Sequence, residues 1–221
     1  MASTDESNSD VCPTWSRTSP DRDSIIESTL TNVKGRMMSD ISDRYRIVAG
    51  QFTRVAMAVP DEAWDNPAPC EGWVARDVVD HMVEWLPSFL ASGADVDLPK
   101  GPSVVADPVG AWKVLSNSIQ ALLDDPQIAS SEFNHEYAGR HTIEDAIAMF
   151  FLNDVLIHTW DLARATGGDE ALDADEVHRM FSGIEPYDEM LRASGHYGPR
   201  VPVSDDADEQ SKLIAFTGRQ P

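Results

Sequence analysis

The stretch FFLNDVLIHTWDLARATGG, Phe150 to Gly168, is apolar enough for a helix in a protein core, yet it carries Asp154, His158 and Asp161. Carboxylates are almost never fully buried without a partner. The segment therefore either pairs its polar groups with one another or holds something with them. Residues four apart on a helix project from one face, so Asp154 and His158 can reach a single point in space. One carboxylate and one imidazole do not close a metal site, and the third group has to come from a facing helix. His81 is the candidate, being the other histidine placed mid-helix among apolar neighbours. Two His and one carboxylate leave an open coordination position, as catalytic zinc and non-haem iron sites do. On the residues alone the plainer alternative stays open, because an Asp and a His four apart often form only a side-chain pair worth a few tenths of a kcal/mol. His81 can equally be a satisfied core histidine, with Asp77 as its partner.

Working outward, Thr142 reads as the N-cap of this helix and Gly167 and Gly168 as its stop. Upstream, Ile41, Tyr45, Val48, Phe52, Val55 and Val59 recur at three and four residues, which predicts a first helix from Ser39 to about Pro60. A loop rich in Pro and Trp, PDEAWDNPAPCEGWVARD, leads to a second helix marked by Val78, Val79, Met82, Val83, Leu86 and Leu90, with Pro87 as a point of kinking. Asp107 and Pro108 read as the cap and first turn of a third, ending at Pro126. A fifth helix is predicted over Asp173 to Ala193, broken at Pro186, and a short apolar one over Lys212 to Phe216. His135 and His141 flank a glycine in what reads as a loop. No β alternation is long enough for a sheet core. The lengths and connections predict an all-α antiparallel four-helix bundle with an additional C-terminal helix and an irregular tail.

Residues 1–36 are polar and mixed in charge, with too little apolar surface to offset the entropy of ordering them, and read as a flexible tail with a short helix around Ile25 to Val33. Translation starting at Met37 or Met38 is the other reading of this segment. Residues 37–221 then form one domain. Across the 221 residues, 17 Lys and Arg stand against 38 Asp and Glu, a formal charge of −21 that repels phosphate backbones and anionic lipid surfaces. No nucleic-acid or membrane partner is expected. Two cysteines, Cys12 and Cys70, are too few for a disulfide scaffold, and Cys70 reads as a buried small side chain. With no apparent leader and no window approaching the roughly 18 apolar residues of a membrane span, the expected location is cytoplasmic.

Three blocks carry a specific resemblance: PAPCEGWVARDVVDHMVEW (Pro67–Trp85), NDVLIHTWDLARATGGDEALD (Asn153–Asp173) and YGPRVPVSDDADEQSKLIAFTGRQP (Tyr197–Pro221). In order and spacing they resemble the mycothiol-dependent maleylpyruvate isomerase-like proteins of the DinB/YfiT-like group, from about Ser39 to the end. The resemblance implies a helical bundle holding one divalent metal, zinc, through His81, Asp154 and His158, with mycothiol as cosubstrate, an electrophilic small molecule as substrate, and a homodimer as the form common among relatives. Trp160, Asp161 and Arg164 share the HTWDLAR block and are read as supporting the ligands or the fold. Two departures matter. The characterised isomerase has Glu where this chain has Asp154, and it has a longer C-terminal domain shaping its thiol pocket. The implied activity is therefore a metal-dependent isomerase or thiol transferase, with a hydrolase or a non-catalytic metal-binding bundle as alternatives.

Overall fold

Apolar spacing at three and four residues becomes four long helices in the computed structural model, which describes residues 41–194 and 197–221. The expected tail over 1–36 lies outside the described residues. Helix α1 is Ile41–Ala58, α2 Ala75–Ala94, α3 Pro108–Asp124, and α4 runs over Ile143–Thr166. Both α1 and α2 pack against α3 and α4, so α4 sits between the first two helices. Their shared core is built on Tyr45, Phe52, Met82, Leu86, Trp112, Ile119 and Phe151, all fully buried. The Trp112 indole N–H donates to Thr53 Oγ1 at 2.8 Å, which satisfies the one polar atom of an otherwise apolar anchor.

Local chemistry explains most of the ends. Asp107 accepts from the Gly110 N–H at 2.8 Å with Pro108 in the first turn of α3, and Thr142 accepts from the Asp145 N–H at 3.1 Å to start α4. Pro87 does not stop α2, which continues to Ala94. The predicted fifth helix is broken where expected: α5, Ala174–Ile184, gives way to a 3₁₀ turn at Glu185–Tyr187 and then α6, Asp188–Ser194. The last helix, α7, spans Glu209–Phe216, starting before the predicted Lys212 because Asp208 caps it through the Ser211 N–H. It packs against α5.

Two expectations need correcting. His135 and His141 lie not in a loop but in a two-stranded antiparallel hairpin, β1 Glu132–His135 and β2 Gly139–Thr142, which packs on α2. Four-residue strands, each with a single buried residue, Phe133 in β1 and His141 in β2, are too short to show alternation. The apolar character of α4 was also underestimated, since this helix is long and apolar enough to cross a membrane by length and composition. Its most apolar window is 78% buried inside the protein, so packing accounts for that hydrophobicity. Residues Val155 to Ala163 are all buried, including the three polar ones, His158, Thr159 and Asp161.

Candidate metal centre

The loop before α2 does two jobs. Cys70 to Trp73 form a turn closed by the Trp73 N–H on the Cys70 carbonyl at 3.0 Å, with Gly72 at φ 76°, a value an L side chain rarely adopts. This turn puts Trp73 beside the site, its ring centroid 5.2 Å from that of His81 and 5.8 Å from that of His158. Asp77, the alternative partner for His81, is engaged elsewhere: its Oδ2 accepts from the Val74 N–H at 2.8 Å and fixes the start of α2. His81 is thereby left to face α4.

On α4, a π-helical segment at Ile147–Leu152 precedes the α-helical turn that carries Asp154. Such a segment inserts extra backbone per turn, which re-aims everything after it. Asp154 then lies between the two imidazoles. Its Oδ2 is 3.1 Å from His81 Nε2 and accepts from Trp85 Nε1–H at 3.0 Å, while its Oδ1 is 3.3 Å from His158 Nε2. The last approach is not aligned as a hydrogen bond, and Nε2 of the fully buried His158 has no hydrogen-bond partner among the described residues. One donor atom from each of His81, Asp154 and His158 lies within 4.8 Å of the others. Zinc ligands at about 2.0–2.1 Å in tetrahedral geometry stand roughly 3.3 Å apart, and the 3.1 and 3.3 Å separations, one from each Asp154 oxygen, are of that order. The donor set, the spacing and the unpartnered buried nitrogen all fit a divalent cation.

Behind the cluster, His158 Nδ1 and Asp161 Oδ2 are 2.8 Å apart. Asp161, fully buried, takes two hydrogen bonds from Arg219, Nε to Oδ1 and Nη2 to Oδ2, both at 2.7 Å. Cys70 Sγ is buried next to this pair, 3.6 Å from Asp161 Oδ2 and 3.5 Å from Arg219 Nη2. Cys70, His158 and Asp161 also converge closely enough for a metal, but a cation there would face the guanidinium already occupying both Asp161 oxygens. The front cluster is the better site.

Electrostatics follow from this packing. Burial opposes ionisation of Asp154, yet His158 and His81 outweigh it and hold the carboxyl well below the usual range. Burial likewise opposes protonation of His158, but Asp154 and Asp161 reverse the sign and push its pKa up to about 9. Asp161 stays ionised against its burial because of Arg219 and His158. Burial and the Asp154 charge raise the Tyr197 phenol to about 12, which ties this residue of the C-terminal segment to the site electrostatically. Neither Arg219 nor Tyr197 was singled out from sequence. Trp160 is core, and Arg164 reaches outward to Glu170 while stacking over Trp160 at 4.5 Å.

Fold and site together define a class: mostly helical proteins with two histidines and a carboxylate converging between two long helices under tryptophan walls. Residues 45–113 match the family described as the mycothiol maleylpyruvate isomerase N-terminal domain, a span that includes Trp73, His81 and Trp85. This match supports the family-level resemblance drawn from the three sequence blocks. Among curated proteins the chain is similar to two uncharacterized proteins of Mycobacterium tuberculosis, from strains CDC 1551 / Oshkosh and ATCC 25618 / H37Rv. Each is 25% identical over 177 residues, covering 76% of this chain and 91% of the relative. No solved structure matches the chain.

Proposed function

We propose that the protein binds one divalent metal ion, zinc by the chemistry of its ligands, through His81, Asp154 and His158, and uses it with a low-molecular-weight thiol such as mycothiol in an isomerase or thiol-transferase reaction. The observation that carries the metal reading is the unpartnered, fully buried His158 Nε2 facing Asp154 and His81. The thiol reading is supported by the family description matched over residues 45–113. A divalent cation held by His81, Asp154 and His158 would lower the pKa of a bound thiol from about 8.5 and supply a nucleophile at neutral pH. The chain's own part is positional. Asp154 remains ionised and is held by Trp85 Nε1–H. Trp73 lies nearly parallel to the His158 ring, with 17° between their planes, and screens it from water. His81, 12% exposed at its side chain, and Asp154, at 14%, supply the side open to a ligand.

Cobalt substitution followed by titration with mycothiol tests this reading. A sulfur-to-metal charge-transfer band in the near ultraviolet that grows with added thiol is expected. A protein that holds cobalt but shows no such band has no direct thiol ligation, and the function then moves to metal-dependent hydrolysis or to metal binding without catalysis.

A further inference from the structure

The C-terminal turn of the chain reaches the back of the same site. Helix α7 ends in a pair of bonds from the Gly218 N–H to the Ala215 carbonyl at 3.1 Å and from the Arg219 N–H to the Ile214 carbonyl at 3.2 Å. This is the Schellman arrangement, which needs a left-handed residue after the last helical one. Gly218 supplies it at φ 92°, and an added Cβ there would come within 3.0 Å of Gly198 Cα. Arg192 holds the two segments of this crossing together by donating to the carbonyls of Gly198 and Phe216. The residue following Gly218 is thus turned inward, and that residue is Arg219, with its side chain 2% exposed.

We propose that Arg219 is a positioning residue for the metal centre: it holds Asp161 by two parallel hydrogen bonds, Asp161 holds the His158 ring through Nδ1, and Nε2 is thereby fixed toward Asp154 and His81. The inference rests on the metal reading above. A planar fork engaging both carboxylate oxygens restricts the carboxylate's rotation as well as its position, which an ammonium group cannot do. Partners of this kind behind a ligating histidine usually matter for metal affinity by roughly ten- to hundredfold. Because binding free energies are reciprocal, seating of the Gly218–Arg219 turn and occupation of the metal site strengthen each other.

The test uses the full chain, with zinc affinity measured by competition with a chromophoric chelator and the visible spectrum recorded after cobalt loading. Arg219→Lys is expected to weaken zinc binding roughly ten- to hundredfold and to alter the cobalt spectrum. Gly218→Ala, which keeps the guanidinium but strains its approach, should move both readouts in the same direction. Asp161→Asn should do so too, and adding Arg219→Lys to it should cost no more than the larger single change, since both act through one path. Arg44→Lys is the control, because it weakens a buried Arg–Glu pair between α1 and α5 that involves none of the three proposed ligands. It should lower the melting temperature and leave zinc affinity unchanged. Wild-type affinity in folded Gly218→Ala and Asp161→Asn, or a loss in Arg219→Lys no larger than in Arg44→Lys, overturns the proposal. If Arg219→Lys fails to fold, the other two variants decide. A wild-type protein that binds no zinc instead overturns the metal reading itself, a result distinguishable from failure of the clamp.

Discussion

Raising the pH should destabilise the metal-free protein while strengthening its hold on zinc. The group responsible is His158, whose pKa is raised from 6.5 to about 9 in the folded state by Asp154 and Asp161. A group with a raised folded pKa stabilises fully below its unfolded value, and that contribution is lost as pH climbs through the folded one. The window therefore runs from about 6.5 to about 9, and the difference amounts to about 3 kcal/mol. Asp154 and Asp161 are both shifted downward and remain ionised throughout this window, so they add no slope. For a chain of this size 1 kcal/mol moves the melting temperature by about 2–4 °C, so the metal-free protein should lose roughly 6–12 °C. Zinc must displace the His158 proton, so its apparent affinity should rise about tenfold per pH unit over the same range. Differential scanning calorimetry with and without excess zinc, across that range, reads both effects. The two melting curves should diverge with rising pH. A metal-free melting temperature that stays flat, or a zinc-induced shift that does not grow, would refute the electrostatic account of His158.

Other outcomes follow from single contacts. Asp154→Asn should lower metal affinity, because charge is lost where two imidazoles meet it, whereas Asp154→Glu should retain the metal with its position shifted by about one methylene; chelator competition separates them. Trp85→Phe keeps the aromatic wall but removes the 3.0 Å hydrogen bond to Asp154 Oδ2, and should weaken zinc binding by up to about tenfold with little change in thermal stability. Arg44→Met removes the buried partner of Glu176 and leaves it only the half-exposed Arg179 at 3.4 Å, so it should cost up to about 3–5 kcal/mol, read by denaturant unfolding, with metal stoichiometry unaltered.

How much of this was legible in the sequence depends on how far apart the partners lie along the chain. Asp154 and His158 are one helical turn apart, and His81 is the one histidine of α2, so their convergence could be anticipated. Asp161 was visible within the HTWDLAR block, but its arginine lies 58 residues further on, where no periodicity connects them. Only the Thr217–Gly218 ending of α7 hinted at it, since a glycine after a short apolar helix marks a turn that throws the next residue aside. The π-helical segment at Ile147–Leu152 leaves no trace in a pattern of spacing three and four, because every residue in it remains apolar. The hairpin was missed because each strand has four residues. Spacing also offers Asp77 as a partner for His81, the alternative to a ligand role, and it is the helix start at Val74 that claims this carboxylate.

The central claim is that His81, Asp154 and His158 hold one divalent ion. Elemental analysis of the purified full chain, beside His158→Ala prepared in the same way, tests it most directly. The wild type should carry about one zinc per chain and restore that content after chelation and reloading, and His158→Ala should carry essentially none while remaining helical by circular dichroism. A His158→Ala protein with the wild-type metal content, or a wild type that takes up no metal from excess zinc, would contradict it and leave the cluster as a network of mutually paired side chains.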